Sequence, residues 1–516
     1  MPRRCRCFIT LKSEWMKYLL LCLLTVTTVL AQPAAKPTRA TQSISVDALK
    51  ADFRTLRAAF EELHPALYRY TPRDSLNLLF DQTYESIRYP LTETQFVNRL
   101  YPLISRIRCG HTQLEHSIVY RKDPNRPRPA HFPFGVLAQG NQLFLIQNRS
   151  TDPSLRVGSE ILSINGVSAE ELLHETRQQW SSDGYNQTWV EFFINQYNAL
   201  LDEVGTFIHG WRGTYTLTVR QPDGTTRTTT VTTPQPAKPA DTATVRLQMM
   251  PAKPTRSRWE PKPYLNLRLL PDSTTALLTL NALEYGDEAF YKQAFEHLER
   301  KHIQNLVLDI RRNHGGDARI ISQLMAHLAD APFVLIKQVE GPVANPDRSR
   351  FRPYFDKGIL DSHRSSFTAG IRQGELYRFA FRPENGRITG YLPLAKANRF
   401  RGNLYVLIDG GTFSNGANFA AALKAQRANT VFVGRETGGT QAGCNGGTVQ
   451  RFTLPNSGIV VQFPWLRLVS ASPTPDDGHG LRPDVPVTLT PTALADNRDE
   501  DLETALTLIR TGSQKR

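Results

Sequence analysis

The chain contains 516 residues, of which 40% are hydrophobic, 21% charged and 9% aromatic. These proportions exclude wholesale disorder and collagen-like repeats, and the length predicts about three folded units. The chain has 62 Lys and Arg against 48 Asp and Glu, which gives a net charge of +14. Because these basic residues form no long run and are not interleaved with aromatic residues, the composition argues against nucleic-acid binding.

The first part of the chain has the features of a secretory signal peptide. Met16-Lys17 precedes the apolar stretch Tyr18–Leu30, and small residues lead to a cleavage position after Ala31. The apolar stretch is too short to cross ~30 Å of hydrocarbon as a helix, which argues against a membrane anchor. The sequence therefore predicts an exported protein, periplasmic or extracellular, without a membrane span in its mature chain.

Composition and periodicity divide the chain into six parts. They are a signal peptide (1–31), a tether (32–46), an N-terminal helical segment (47–127), a β-rich unit (128–233), a Pro-rich linker (234–263) and a core of alternating strands and helices (264–516).

The helical segment contains two clear helix patterns. Apolar residues at spacings of three and four predict a helix from Val46 to Leu63 that stops at His64-Pro65. A capping box at Thr92–Gln95 opens a second helix, in which Pro102 predicts a kink. The β-rich unit then shows short strand patterns at Gln142–Ile146, Glu160–Ile164, Thr214–Arg220 and Thr226–Thr232.

From Thr275 onwards strand patterns alternate with helix patterns, which predicts an α/β fold with a mostly parallel sheet. The predicted strands are Thr275–Leu280, Asn305–Ile310, Asn403–Ile408 and Thr430–Val433, and the predicted helices are Glu288–Lys301, one that begins near Arg319, and Asn415–Gln426. In such folds ligands bind where strand ends enter loops.

Two of these loops carry unusual residues. After the second strand comes Asp309–Asp317, whose Gly315-Gly316 pair exposes backbone N–H groups, although a simple turn explains it as well. Ser414 lies at the amino end of a helix rich in small residues, where N–H groups favour negative charge. Serine is also a common N-cap, so a structural role for Ser414 stays open.

A serine needs a neighbouring base to act as a nucleophile. The candidates are His111, His314, His479 and any well-placed lysine. His111 follows a glycine at the end of the helical segment, where loops project functional groups. A further loop, Asp476–Asp484, contains carboxylates that can orient a base.

Five motifs, in this order, resemble those of the tail-specific (carboxyl-terminal processing) serine peptidases, in the histidine-using branch that includes the tricorn core. They are Cys109–Thr112, Asn305–Gly316, Thr412–Asn418, Val433–Gly439 and Gly478–Val485. The resemblance implies a crotonase/ClpP-like core, and Leu155–Gly166 within the β-rich unit resembles a PDZ-like domain. PDZ domains capture the C-terminus of a polypeptide by adding it as a strand to a sheet edge.

The resemblance also implies a role for each site residue. Ser414 is the expected nucleophile, His111 the general base and Asp477 the carboxylate that orients the imidazole, while the N–H groups of Asn415 and of Gly315 or Gly316 form the expected oxyanion hole. The lysine-using branch places its base about 25 residues after the nucleophile. Gly439 and Thr440 stand there in this chain, which excludes that mechanism.

Three of the five cysteines lie in the predicted signal peptide, and the expected site gives the other two a role. Cys109 precedes the expected base by two residues and Cys444 follows the nucleophile helix, so a disulfide between them is predicted to fix the His111 loop. No cofactor is expected, and no metal site is expected because no metal-spaced cluster of ligands appears.

The sequence therefore predicts an exported serine endopeptidase that hydrolyses unfolded or C-terminal segments of polypeptides. Two alternatives stay open: an inactive peptide- or ligand-binding protein on the same fold, and a hydrolase that acts on non-peptide acyl groups.

Overall fold

The computed structural model describes residues 41–233, 264–284, 287–382, 386–472 and 474–512. The predicted signal peptide, most of the tether and the Pro-rich linker lie outside these residues. Within the described ranges, no helix is both long and apolar enough to cross a membrane.

Three helices open the described chain: α1 (Val46–Leu63), α2 (Arg73–Glu85) and α3 (Glu93–Arg106). Ser45 caps α1, and Thr92 forms the predicted capping box of α3 with Gln95. The helix α3 runs through Pro102. The apolar faces of the three helices pack into the same core as the α/β part of the chain.

The next part of the chain forms an antiparallel sheet with its own apolar core. Its elements, after the short strand β1 (Gln113–Glu115) and the helix α4 (Ile118–Lys122), are β2 (Phe134–Gln139), β3 (Gln142–Asn148), β4 (Glu160–Ile164), β5 (Val167–Ser168), α5 (Ala169–Gln178), α6 (Thr188–Tyr197), α7 (Ala199–Phe207), β6 (Thr214–Arg220) and β7 (Thr226–Thr232). The order in the sheet is β2-β3-β4-β6-β7, and β5 pairs with β4.

The strands among the remaining elements form, together with β1, two further six-stranded sheets and one two-stranded sheet. They are β8 (Leu265–Leu269), β9 (Thr275–Leu280), α8 (Glu288–Arg300), β10 (Asn305–Asp309), α9 (Ala318–Leu328), β11 (Phe333–Val334), β12 (Ile336–Gly341), α10 (Lys357–Ser366), β13 (Ile371–Gln373), β14 (Leu376–Phe379), β15 (Tyr391–Leu392), β16 (Asn403–Ile408), α11 (Asn415–Gln426), β17 (Thr430–Gly434), β18 (Gly443–Thr453), β19 (Val460–Ser470), β20 (Val485–Pro486), α12 (Pro491–Ala495) and α13 (Glu500–Thr511).

The first of these sheets has the order β20-β17-β16-β10-β9-β8, and only β8 pairs antiparallel. Its central strands β9, β10 and β16 are buried apolar runs, as expected for strands covered on both faces. The neighbours β10 and β16 are in register from Asn305–Asn403 to Asp309–Leu407. Their carboxyl ends, and the loops that follow them, therefore lie side by side. The mixed α/β fold is confirmed.

The second sheet connects the N-terminal segment to the core. The long strand β19 pairs with β18 on one edge and with β12 and β1 on the other. In β1, Gln113 lies opposite Gln462, and Glu115 forms an ion pair with Arg451 of β18. Because β1 begins two residues after His111, this pairing fixes the His111 loop against the core.

Candidate active site

The His111 loop is held by contacts that tolerate only a glycine at position 110. A Cβ atom on Gly110 would lie 2.6 Å from Cζ of Phe413, which is too close for any larger residue. On the other side of the loop, the buried His64 at the end of α1 contacts Thr112, with 3.0 Å between Nε2 and Oγ1. Ala66 N–H donates to Nδ1 of His64, so Nε2 carries the proton and donates it to Thr112.

Ser414 is the residue immediately before α11, and its backbone is strained. Its φ is 54° and its ψ is −125°, a region that costs a non-glycine residue on the order of 1–3 kcal/mol. Hydrogen bonds from the two preceding residues hold this conformation. The N–H of Phe413 donates to the carbonyl of Asn313 at 2.9 Å, and the hydroxyl of Thr412 donates to the carbonyl of Ile310 at 3.0 Å. The strained turn presents the serine side chain at the carboxyl end of the sheet.

These two loops bring a histidine and a serine together across 303 residues of sequence. Nε2 of His111 lies 3.0 Å from Oγ of Ser414. The imidazole also packs on the ring of Phe413, at 4.7 Å between ring centroids. Burial lowers the pKa of His111 to about 4, so the imidazole is neutral at pH 7 and can accept a proton.

Two of the expected oxyanion donors have no hydrogen-bond partner among the described residues. The N–H of Gly315, one of the expected oxyanion donors, already donates to Oδ1 of Asn313 at 2.9 Å. By contrast, neither the N–H of Gly316 nor that of Asn415 donates a hydrogen bond to any described residue. A Cβ atom on Gly315 would lie 2.9 Å from the nitrogen of Asn415, so the space in front of that N–H stays open only beside a glycine.

The expectation that Asp477 orients His111 is wrong in this structure. Asp477 is exposed, and its Oδ1 accepts the N–H of His479 at 3.0 Å within its own loop. The preceding residue Asp476 points inward instead, where Arg69 and Arg467 bind its carboxylate. Nδ1 of His111 is buried and has no hydrogen-bond partner among the described residues.

The predicted disulfide is also absent from the structure. Cys109 and Cys444 are both free and buried. Burial raises the pKa of each thiol to about 12, so both stay protonated and unreactive at neutral pH. The sulfur of Cys444 accepts a weak hydrogen bond from Nδ2 of Asn418 at 3.4 Å.

The other candidate bases lie apart from Ser414. The ring of His314 packs against Trp189, with 5.2 Å between centroids, and Nδ1 of His479 contacts Oε1 of Glu436 at 3.2 Å. At the position where a lysine base would be expected, a Cβ atom on Gly439 would lie 3.0 Å from the nitrogen of Ser414. Across the described ranges, no group of His, Cys, Asp and Glu is arranged to hold a metal ion.

Sequence reasoning missed one carboxylate beside the His111 loop. Oδ1 of Asp183 accepts the N–H of Gly110 at 2.7 Å, and the Asp183 side chain is buried. Asp183 lies in the irregular segment between α5 and α6. Nothing in the local sequence marks it, because the contact joins two distant parts of the chain.

The mixed α/β fold and the paired loops place a neutral imidazole 3.0 Å from a serine hydroxyl at the amino end of a helix. Residues 274–487 match the model of peptidase family S41. The core thus belongs to peptidase family S41, and the protein is a serine-type peptidase. The resemblance to the tail-specific peptidases is confirmed at the level of this family.

Solved structures share the fold over most of the chain. Mature CPAF is 15% identical, with a TM-score of 0.59 over 90% of this chain and 96% of its own. Mature CPAF complexed with lactacystin is also 15% identical, with a TM-score of 0.58 over 90% of this chain and 97% of its own. No curated protein sequence matches the chain.

Proposed function

We propose that this serine peptidase is an exported endopeptidase that uses Ser414 as its nucleophile and His111 as its general base. The observation that carries the proposal is the 3.0 Å distance between His111 Nε2 and Ser414 Oγ, which is within range for direct proton transfer. The signal-like sequence before Gln32 supports export to the periplasm or the cell exterior.

The proposed reaction is acyl transfer. His111 accepts the hydroxyl proton at Nε2 while Oγ of Ser414 bonds to the carbonyl carbon of the substrate, and the same proton then passes to the leaving amine. The N–H groups of Asn415 and Gly316 stabilise the negative charge on the carbonyl oxygen. Water hydrolyses the resulting ester in a second step of the same kind.

The polypeptide substrate of the proposal is an unfolded or C-terminal segment, captured by residues 128–233 acting as a PDZ-like domain. In support, the antiparallel sheet of this unit ends in two edge strands, β2 and β7. Strand addition needs free backbone groups at such an edge. Of these two edges, that of β2 is covered at Ala138. The side chain of Asn195 accepts the N–H of Ala138 at 2.6 Å and donates to the carbonyl of Ala138 at 3.2 Å.

A fluorophosphonate probe tests the nucleophile and the base. We expect the probe to label the wild-type protein, Ser414→Ala to abolish labelling, and His111→Ala to slow it by at least about 100-fold, because general base catalysis is worth about 10²–10⁴. The matched control is Ser168→Ala, since Ser168 is also the N-cap of a helix, where it accepts the N–H of Glu171 at 3.1 Å.

Labelling that is absent from the wild type contradicts the proposal and favours an inactive binding protein. Labelling that is unchanged in Ser414→Ala also contradicts it, because the reactive nucleophile then lies elsewhere in the chain. Digestion of an unfolded polypeptide then separates a peptidase from a hydrolase of simple esters. Comparing peptides with a free and an amidated C-terminus tests C-terminal capture, which predicts a higher KM for the amidated peptide.

A further inference from the structure

The segment between α5 and α6 clamps the loop that carries His111. Asp183 accepts the N–H of Gly110 at 2.7 Å, and the N–H of Gly184 donates to the carbonyl of Arg108 at 3.0 Å. The amide of Gln113 donates to the carbonyl of Ser181 at 3.3 Å. Both sides of the His111 loop are therefore fixed to this one segment.

Two buried polar atoms in this region lack partners. Oδ2 of Asp183 and Nδ1 of His111 are both buried, and neither forms a hydrogen bond with a described residue. Leaving a buried polar atom unpaired is destabilising, so an unpaired carboxylate oxygen and an unpaired imidazole nitrogen beside one loop require an explanation. Asp183 binds the residue that directly precedes His111.

The groups that face Asp183 leave its charge only partly compensated. Besides the N–H of Gly110, they are the backbone N–H of Thr440, the neutral thiols of Cys109 and Cys444, the phenol of Tyr70, the carboxylate of Asp476 and the guanidinium of Arg467. Arg467 bonds Asp476, with 3.2 Å between Nη2 and Oδ2, and forms no ion pair with Asp183. Burial is the largest effect on Asp183 and raises its pKa to about 7.

We infer that Asp183 is the positioning residue of the Ser414–His111 pair, in the place that sequence reasoning gave to Asp477. Its Oδ1 holds the backbone of Gly110, and its negative charge stabilises the imidazolium that forms when His111 takes the proton of Ser414. The proton moves from Oγ to Nε2 and then to the leaving amine, and Asp183 keeps its charge throughout. This inference rests on the proposed roles of Ser414 and His111.

Asp183→Asn separates the charge from the hydrogen bond, because the amide oxygen of asparagine still accepts the N–H of Gly110. We expect kcat to fall by about 10-fold to 100-fold with little change in KM, since stabilisation of the imidazolium acts in the transition state. We expect kcat/KM of the wild type to rise as the pH increases through about 7, because burial raises the pKa of Asp183 to about 7. In Asp183→Asn this rise is absent, and activity falls only where His111 is protonated, near pH 4.

Asp477→Asn is the matched control, because Asp477 is an exposed carboxylate that does not reach His111. The inference is overturned if Asp183→Asn keeps the wild-type rate and pH profile, or if Asp477→Asn shows the losses expected of Asp183→Asn. If Asp183→Asn does not fold, the rate of wild-type fluorophosphonate labelling against pH decides, and a profile without a rise through about pH 7 overturns the inference. Failure of the proposed function looks different, since Ser414 of the wild type would then remain unlabelled.

Discussion

The backbone around Ser414 is constrained from several sides at once. Its positive φ places the side chain towards His111, while Gly315, with a φ of 99°, leaves room in front of the N–H of Asn415. Gly416 adds to this packing, because a Cβ atom there would lie 2.5 Å from the carbonyl oxygen of Asn313. The glycines of both loops thus let two backbones approach closely at the point where charge develops.

We expect Gly315→Ala to reduce kcat by about 100-fold or more, the usual cost of losing one oxyanion donor. The added methyl group meets the nitrogen of Asn415 and Cβ of Ser414, each at 2.9 Å. The control is Gly224→Ala, because Gly224 also has a positive φ, of 84°, but has nothing within 4 Å of its Cβ position. Steady-state kinetics of the two variants separate the loss of the donor from general backbone strain. Equal kcat values in the two variants would contradict the role of the Asn415 N–H as an oxyanion donor that Gly315 keeps accessible.

Sequence reasoning located Ser414 and His111, which the structure brings together, because each lies within a short motif of defined order. It failed for Asp477 because a loop offers two adjacent carboxylates and only packing decides which one turns inward. It missed Asp183 for a related reason. The hydrogen-bond partner of Asp183 is the backbone N–H of Gly110, some seventy residues away in the chain, and backbone groups carry no sequence signal.

At the level of elements, the strand–helix alternation of the core was predictable, and β9, β16 and α11 have the predicted bounds. These elements consist mainly of buried apolar and small residues, which gives a strong pattern in the sequence. The hairpin of β18 and β19 was not predicted, because β18 contains Gly446-Gly447, a pair typical of turns. The structure places a register shift there instead, between Gly446 and Val449.

The last helix is attached to the sheet by a buried carboxylate. Asp501 of α13 is 1% exposed and accepts hydrogen bonds from Arg311 at 2.9 Å and from Arg435 at 2.8 Å. We expect Asp501→Asn to lower the free energy of unfolding by about 3 kcal/mol, because it leaves Arg435 without its carboxylate partner. Arg311 loses one carboxylate partner but keeps Asp309 and Asp499. Urea denaturation measures this loss.

On the same helix, Glu503 supplies the matched control, since its ion pair with Arg498 is about half exposed on both sides. Glu503→Gln should change the free energy of unfolding by less than about 1 kcal/mol. A loss for Asp501→Asn no larger than that of Glu503→Gln would show that the buried cluster does not hold α13 in place.

At the scale of the whole molecule, buried histidines make the fold sensitive to acid. Burial lowers the pKa of His64 to about 3 and that of His363 to about 4, against an ordinary value of 6.5. In the unfolded chain each imidazole takes up a proton as the pH falls through 6.5, whereas in the folded chain it stays neutral. Their contribution to stability is therefore complete above pH 6.5 and is lost towards pH 4. Asp183, whose pKa is raised, acts in the opposite direction.

His363→Gln isolates one of these contributions. His363 is 4% exposed, and its ring lies among aromatic side chains that include Phe367 and Trp465. Between pH 7 and pH 5 the wild type should lose about 2 kcal/mol more of its unfolding free energy than this variant does, because the variant has no imidazole to protonate on unfolding. The exposed His174 of α5 provides the control, and His174→Gln should follow the wild type. Parallel pH dependences of the wild type and His363→Gln would mean that the imidazole of His363 is protonated equally in the folded and unfolded chain.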